Sequence, residues 1–185
     1  MNPFQTILIL SAAFLAVFGE TVLSAPRAWL GAQVDLLPAI MVFAALNDGL
    51  PTVALLAVLG GLWFDTFSAN PMGISILPLM LVGFPIYLLR DLILRDLPFA
   101  QFVLGAAASA LVPALTLLML LSSGKEPLLG WGTLWQGIVM TAGGAVATPF
   151  VFALMDACNG ALGYKLRTEV SFRSDREIRH GRILK

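Results

Sequence analysis

Four acidic residues at the edges of long apolar stretches are the side chains in this sequence best suited to proton or ion transfer. Glu20 and Asp65 are expected near one surface of a membrane, and Asp48 and Asp156 near the other. A charge at the centre of a membrane helix costs about 2.5–3.5 kcal/mol, so each carboxylate is a candidate for function. None has a partner at helical spacing near the midplane, which favours side chains hydrated at helix ends over an ion relay. Asp65 could also organise an outer loop.

Motifs for catalysis are missing from the sequence. It has no GxSxG, HExxH or P-loop pattern, and its acidic residues are scattered over both expected membrane faces. The single cysteine, Cys158, and the single histidine, His180, give no basis for a disulfide or a His/Cys metal site. We therefore expect a protein that is not an enzyme and that binds no cofactor, metal or nucleic acid.

The composition is that of a protein that lies largely within a membrane. Of the 185 residues, 58% are hydrophobic and 12% are charged, with a mean hydropathy of +0.88. Backbone that crosses lipid must satisfy its own hydrogen bonds, so the spans are helices or closed barrels. Residues 113–121 do not alternate between apolar and polar side chains, as barrel strands do. The sequence therefore predicts an all-α, polytopic membrane protein.

Six transmembrane helices are predicted in one compact bundle, which occupies residues 1–158. A secretory signal peptide is not expected because residues 1–6 contain no Lys or Arg, so the first helix is retained. The predicted helices span residues 4–23, 34–46, 50–67, 72–89, 98–121 and 131–158. Residues 159–185 form a basic tail.

The distribution of Lys and Arg predicts that both termini are cytoplasmic. With six helices, one side collects Arg90, Arg95 and the tail, which holds seven of the eleven basic residues, while the other side has only Arg27 and Lys125. Four tail arginines recur at every third position and could contact lipid headgroups or a cytosolic partner, or act as a topology signal alone. They are Arg173, Arg176, Arg179 and Arg182.

Pairs of small residues four positions apart occur on four of the predicted helices. Such pairs let membrane helices approach closely. Internal packing is the favoured interpretation, and contact with another membrane protein is the alternative. The pairs are Ala12 and Ala16, Ala57 and Gly61, Gly105 and Ser109, and Gly143 and Ala147.

Residues 35–95 carry a distinctive series of helix signals. The apolar second helix has an early proline, Pro38, and the third helix ends in a Gly-x-x-x-Asp pattern, Gly61 to Asp65. A loop then leads to a glycine that opens the fourth helix, Gly73. In these features the chain resembles the rod shape-determining protein MreD family. The size, the six spans and the cytoplasmic termini agree with that family, whereas the tail is longer and richer in arginine.

The resemblance implies a non-catalytic role in the cell-elongation complex of rod-shaped bacteria, in the inner membrane. The implied partners are MreC and, through it, the MreB filament, RodA and a class B penicillin-binding protein of peptidoglycan synthesis, with membrane lipids around the bundle. Candidate residues for the partner interface are Ala12, Ala16, Gly61, Asp65 and Gly73. No small-molecule substrate is expected in this role.

The alternative is a vitamin-binding subunit of an energy-coupling factor transporter, whose fold is thought to be similar to that of MreD. A vitamin-binding protein needs polar and aromatic side chains that converge in the outer half of the bundle. The tryptophans Trp29, Trp63, Trp131 and Trp135 fall near the expected outer interface. They fit an aromatic belt as well as a pocket. Because other hydrogen-bonding groups there are few, the scaffold role is favoured.

Overall fold

The computed structural model describes residues 3–22, 31–68, 70–93, 97–124 and 130–161, and these residues form six helices. The helices are α1 (Pro3–Val22), α2 (Leu37–Asn47), α3 (Leu50–Phe67), α4 (Ile76–Leu89), α5 (Pro98–Ser122) and α6 (Trp131–Ala161). Four of them, α1, α2, α3 and α5, have a proline at the first or second position, where the missing N–H has no helical partner to lose.

The short helix α2 is the centre of the bundle. Every residue from Leu37 to Leu46 is buried. A helix that is apolar on all sides needs neighbours on all sides, and α2 contacts each of the other five helices. On the side of α6, the rings of Phe43 and Phe152 meet edge to face with centroids 5.0 Å apart.

Four helices, α1, α3, α5 and α6, are long and apolar enough to cross a membrane. This indicates a membrane protein, as the composition predicts. The other two, α2 and α4, are apolar but have only 11 and 14 residues. At 1.5 Å per residue they are about 16 and 21 Å long, which is less than the roughly 30 Å of hydrocarbon in a bilayer.

Hydrogen bonds between elements define two ends of the bundle. At the first, which we call the Asp48 end, the hydroxyls of Thr6 and Thr52 are 3.0 Å apart, and Arg90 Nη1 donates to the Asp48 carbonyl oxygen over 3.0 Å. The opposite end, which we call the Asp65 end, holds the last turns of α1 and α3 and the start of α2 and α4. Successive helices from α1 to α4 therefore run in opposite directions.

Three predicted helix boundaries differ from the structure by three residues or more. Helix α2 begins at Leu37 and not at residue 34. Helix α4 begins at Ile76 and not at residue 72, because residues 72–75 form a turn in which Gly73 has a φ of +89°. Helix α6 continues to Ala161, three residues past the predicted end of the bundle domain. The rest of the basic tail, with Arg173, Arg176, Arg179 and Arg182, lies outside the described residues.

Candidate functional site: the Asp65 junction and an acidic cavity

The Asp65 carboxylate joins the end of α3 to the beginning of α4. Its Oδ2 accepts hydrogen bonds from the backbone N–H groups of Gly73 (2.8 Å) and Ser75 (3.2 Å), and its Oδ1 accepts one from the Ser75 hydroxyl (2.5 Å). The residue is only 2% exposed. A carboxylate at a helix N-terminus also interacts favourably with the helix dipole. Asp65 is thus a fully bonded side chain that positions a helix.

Gly61, one turn earlier on α3, allows the same two helices to meet. A methyl group on Gly61 would lie 3.0 Å from both the backbone N and the Cα of Ile76. Because those atoms belong to backbone, a side chain at position 61 would force α3 and α4 apart. Gly61 therefore sets the distance that lets the Asp65 carboxylate reach Ser75.

Gly73 supplies the conformation that the connecting turn requires. Its φ of +89° lies in the region that glycine adopts readily and that other residues adopt at a cost. The turn brings the Gly73 N–H to Asp65 and leaves the side chain of Met72 74% exposed at the tip. We call the group formed by Gly61, Asp65, Gly73 and Ser75 the Asp65 junction.

Three of the five predicted interface residues meet in this junction, and two do not. Gly61 and Asp65 are buried within the chain and Gly73 is partly buried, so any partner would contact the exposed turn that they hold. Ala12 and Ala16 lie on α1, where they pack partly against the bundle core beside the fully buried Ala13. Whether a partner contacts any of the five stays a prediction.

A second polar group lies where α1 ends and α2 begins. Glu20 Oε1 accepts a hydrogen bond of 2.6 Å from the Leu36 N–H, while its Oε2 is buried and has no hydrogen-bond partner among the described residues. The side chain of Gln136 on α6 makes two hydrogen bonds to the backbone of Gln33, just before α2. Its Oε1 accepts from the Gln33 N–H at 3.1 Å, and its Nε2 donates to the Gln33 carbonyl at 2.9 Å. These bonds tie α1, α2 and α6 together.

Asp35 stands beside this group and is 3% exposed. Its Oδ1 accepts a hydrogen bond of 2.8 Å from the Leu37 N–H in the first turn of α2. Two carboxyl groups, those of Glu20 and Asp35, therefore lie where α1 ends and α2 begins, at the Asp65 end.

The side chain of Asp35 also lines a cavity of about 170 Å³. Phe64 and Asn70 border the cavity from α3 and the loop that follows it, Thr116 from α5, and Met140 from α6. The remaining walls are apolar and come from the second half of α5. They are Val112, Pro113, Leu117 and Leu120.

Close packing of α5 on α6 uses part of the predicted small-residue pattern. Gly105 and Ser109 are buried and face Gly144 and Thr148, so a methyl group at Gly144 would overlap the Ser109 hydroxyl. Internal packing is therefore confirmed for the pair on α5. On α6 the predicted pair is one residue out of register, since Gly143 faces Val34 instead.

The expectation that all four acidic residues are hydrated at helix ends is wrong for Asp65 and Asp48, and the partly buried Glu20 is bonded within the chain. Asp65 is buried at one end of the bundle and Asp48 at the other, whereas Asp156 is exposed. Asp48 Oδ1 accepts from the Gly49 N–H, and its Oδ2 is buried with no hydrogen-bond partner among the described residues. Each of these two buried side chains accepts at least one hydrogen bond from the backbone of the turn that follows it.

Sequence reasoning missed Asp35, Gln33 and Gln136. The predicted second helix began at residue 34, which made Asp35 a helical residue and not a side chain that bonds to the first turn. An Asp just ahead of an apolar run with an early proline is a helix-start signal that would have found it. The contact between Gln33 and Gln136 spans 103 positions, and no local pattern predicts it.

Comparisons with protein-family models, with curated proteins and with solved structures found no match to this chain. The class of this protein is therefore defined by its own structural features. It is an all-helical protein with four helices able to span a membrane, a carboxylate-bonded junction and an acidic cavity.

Proposed function

We propose that this chain is a non-catalytic membrane scaffold of the bacterial cell-elongation complex, related to MreD, that holds MreC and through it the peptidoglycan synthesis machinery. The observation that carries the proposal is the Asp65 junction. Gly61, Asp65 and Gly73, the residues that account for most of the resemblance to that family, are in one contact network although they span 13 positions. The junction performs no chemistry and builds a fixed surface.

The surface that the junction builds is the turn between α3 and α4. Three hydrogen bonds to Asp65 hold this turn while Met72 projects from it, and Phe67, 43% exposed, flanks it. A rigid turn with an exposed apolar tip suits contact with another protein, because little conformational entropy is lost when it binds. We assign this turn to the contact with MreC.

The proposal includes six membrane crossings and cytoplasmic termini in the inner membrane. The alternating directions of α1 to α4 support it even though α2 and α4 are short. Segment 31–36 and the turn before α4 add length at the Asp65 end of those two helices. Arg90 lies at the Asp48 end, which the charge bias assigns to the cytoplasm.

Co-purification with MreC tests the scaffold role. Met72→Arg changes the exposed tip without touching the junction, and we expect it to reduce recovery of MreC. Phe99→Arg is the matched control, since Phe99 is 78% exposed at the start of α5, away from the turn. Equal loss in both variants would assign the effect to membrane insertion, and no loss in Met72→Arg would place the contact elsewhere.

Failure of the unaltered chain to recover MreC at all would remove the scaffold proposal. Gly61→Leu and Asp65→Leu are poor probes of the contact because both residues are engaged inside the chain. Such variants would confuse a lost partner with a lost fold. Substitutions on the exposed turn avoid that ambiguity.

A second candidate is the substrate-binding subunit of an energy-coupling factor transporter, and the cavity beside Asp35 is the observation that favours it. Polar and aromatic side chains do converge there, with Asp35, Asn70, Thr116 and Phe64 among its lining residues. Recovery of a bound vitamin from the purified protein, together with co-purification of a transport subunit and not MreC, would select this function.

A further inference from the structure

We infer that the cavity lined by Asp35 binds a compact organic cation, a protonated primary amine on an apolar body about the size of one aromatic ring. The inference does not depend on the scaffold role, because an elongation scaffold and a transporter subunit could each hold such a ligand. It departs from the sequence-based expectation that no small molecule binds. Three observations support it: the buried carboxyl group of Asp35, the size of the cavity and the chemistry of its walls.

The charge of the site favours a cation. Asp35 is almost fully buried, lines the cavity and accepts one hydrogen bond, from the Leu37 N–H. A buried charge is strongly destabilising unless an opposite charge or several donors compensate it. A carboxylate ligand would be repelled from the same place.

A metal ion fits the site less well than an organic cation. Within the described ranges no group of three His, Cys, Asp or Glu side chains is arranged to hold a metal. Most of the lining is apolar instead, with Phe64, Leu117 and Met140 among the walls. An aromatic ring and a polarisable thioether are favourable neighbours of an ammonium group and of an apolar body.

The size of the cavity sets the size of the ligand. Its volume is about 170 Å³, and an apolar cavity of about 150 Å³ holds benzene. A single ring with one aminomethyl group therefore fills it. Asn70 and Thr116 supply further polar groups at the lining for the remaining ammonium protons.

Fluorine NMR of the purified full chain in phosphatidylglycerol nanodiscs tests the inference with fluorobenzylamine as the probe. Fluorobenzyl alcohol and fluorophenylacetate are the neutral and anionic probes of similar shape. We expect saturable broadening of the amine signal alone. Asp35→Asn keeps an oxygen for the Leu37 N–H but removes the charge, and it should weaken binding about ten- to a hundredfold.

Two more variants keep the result interpretable. Met140→Trp fills the cavity without changing charge, and it should abolish binding even if Asp35→Asn does not fold. Asp91→Asn is the matched control, because it removes one carboxylate whose side chain is 92% exposed next to Arg90, and it should bind as the unaltered chain does. Equal binding of the alcohol, or undiminished binding by both cavity variants, would overturn the inference.

The source of the ammonium group is resolved by two comparisons. If phosphatidylethanolamine in the nanodisc competes with the probe, a lipid headgroup supplies the amine, and if it does not, the ligand is a free molecule.

A side chain of the protein itself is the remaining source of a cation. Arg27 and Lys125 lie outside the described residues, so binding of the probe is also measured in Arg27→Ala and Lys125→Ala. Binding that occurs only in one of these variants would mean that the chain fills its own site, and the inference would be wrong.

Discussion

The Asp65 carboxylate accepts hydrogen bonds from both the hydroxyl and the backbone N–H of Ser75, ten residues further along the chain. One side chain in the last turn of α3 therefore fixes the residue that precedes α4. Because the third hydrogen bond comes from the Gly73 N–H, the turn between α3 and α4 is held in one conformation. The junction acts as a rigid corner of the bundle.

Asp65→Asn should destabilise the protein by about 1–3 kcal/mol, since hydrogen bonds to charged groups contribute about that much and an amide nitrogen cannot accept. Ser75→Ala removes one donor and should cost less. The double variant should cost less than the sum of the two, because both residues share one bond. Unfolding in mixed micelles by increasing SDS measures the three free energies.

Ser123→Ala provides the control for Ser75→Ala. Ser123 is exposed at the end of α5, and its hydroxyl donates to the Met119 carbonyl within the same helix. Its substitution should leave the free energy of unfolding within about 0.5 kcal/mol. Strict additivity of Asp65→Asn and Ser75→Ala would contradict the direct bond between the two side chains.

Gly61→Ala should cost about 1–3 kcal/mol, as overpacking does when the neighbour is backbone that cannot rotate away. The comparison is Gly19→Ala on α1, where an added methyl group meets nothing within 4 Å. Because alanine favours helix over glycine, Gly19→Ala should be neutral or stabilising by up to about 1 kcal/mol. Thermal unfolding followed by circular dichroism measures both, and equal behaviour would refute the close approach of α3 to Ile76.

The crossing of α5 and α6 gives a third prediction. Gly144→Ala places a methyl group on the Ser109 hydroxyl and should lower the free energy of unfolding by about 1–3 kcal/mol. Gly137→Ala on the same helix meets nothing within 4 Å and should have no such cost. Ser109→Gly combined with Gly144→Ala restores the space, so part of the lost stability should return. If it does not, the crossing lies elsewhere.

Much of the fold could be predicted from the sequence because long apolar segments enter lipid, where the backbone must form helices to satisfy its hydrogen bonds. The predicted range 50–67 coincides with α3, and the predicted ranges for α1 and α5 are correct to within one residue at each end. The grouping of Gly61, Asp65 and Gly73 could also be anticipated, since a conformationally special glycine and a carboxylate surround one short turn. Residues that surround one short turn can be grouped from the sequence because their contacts do not depend on the rest of the fold.

The rest depends on contacts that no local pattern encodes. Helices α2 and α6 are apolar on nearly every side, so the sequence does not indicate which side faces a neighbour, and the pair on α6 is predicted one residue away from Gly144 and Thr148. The burial of Asp35 follows from the arrival of α5 and α6, more than 70 positions later in the chain. The acidic cavity is a product of tertiary structure.

Cysteine labelling at positions before and after α4 tests the number of membrane crossings. Met72, 74% exposed, precedes this helix and Leu92, 81% exposed, follows it, so each can carry a single cysteine after Cys158→Ala. Six crossings place the two positions on opposite sides even though α4 has only 14 residues. We therefore expect a membrane-impermeant maleimide to label Met72→Cys in intact cells and Leu92→Cys only after permeabilisation. Labelling of both in intact cells would mean that α4 enters the membrane and returns, which leaves the bundle with fewer crossings.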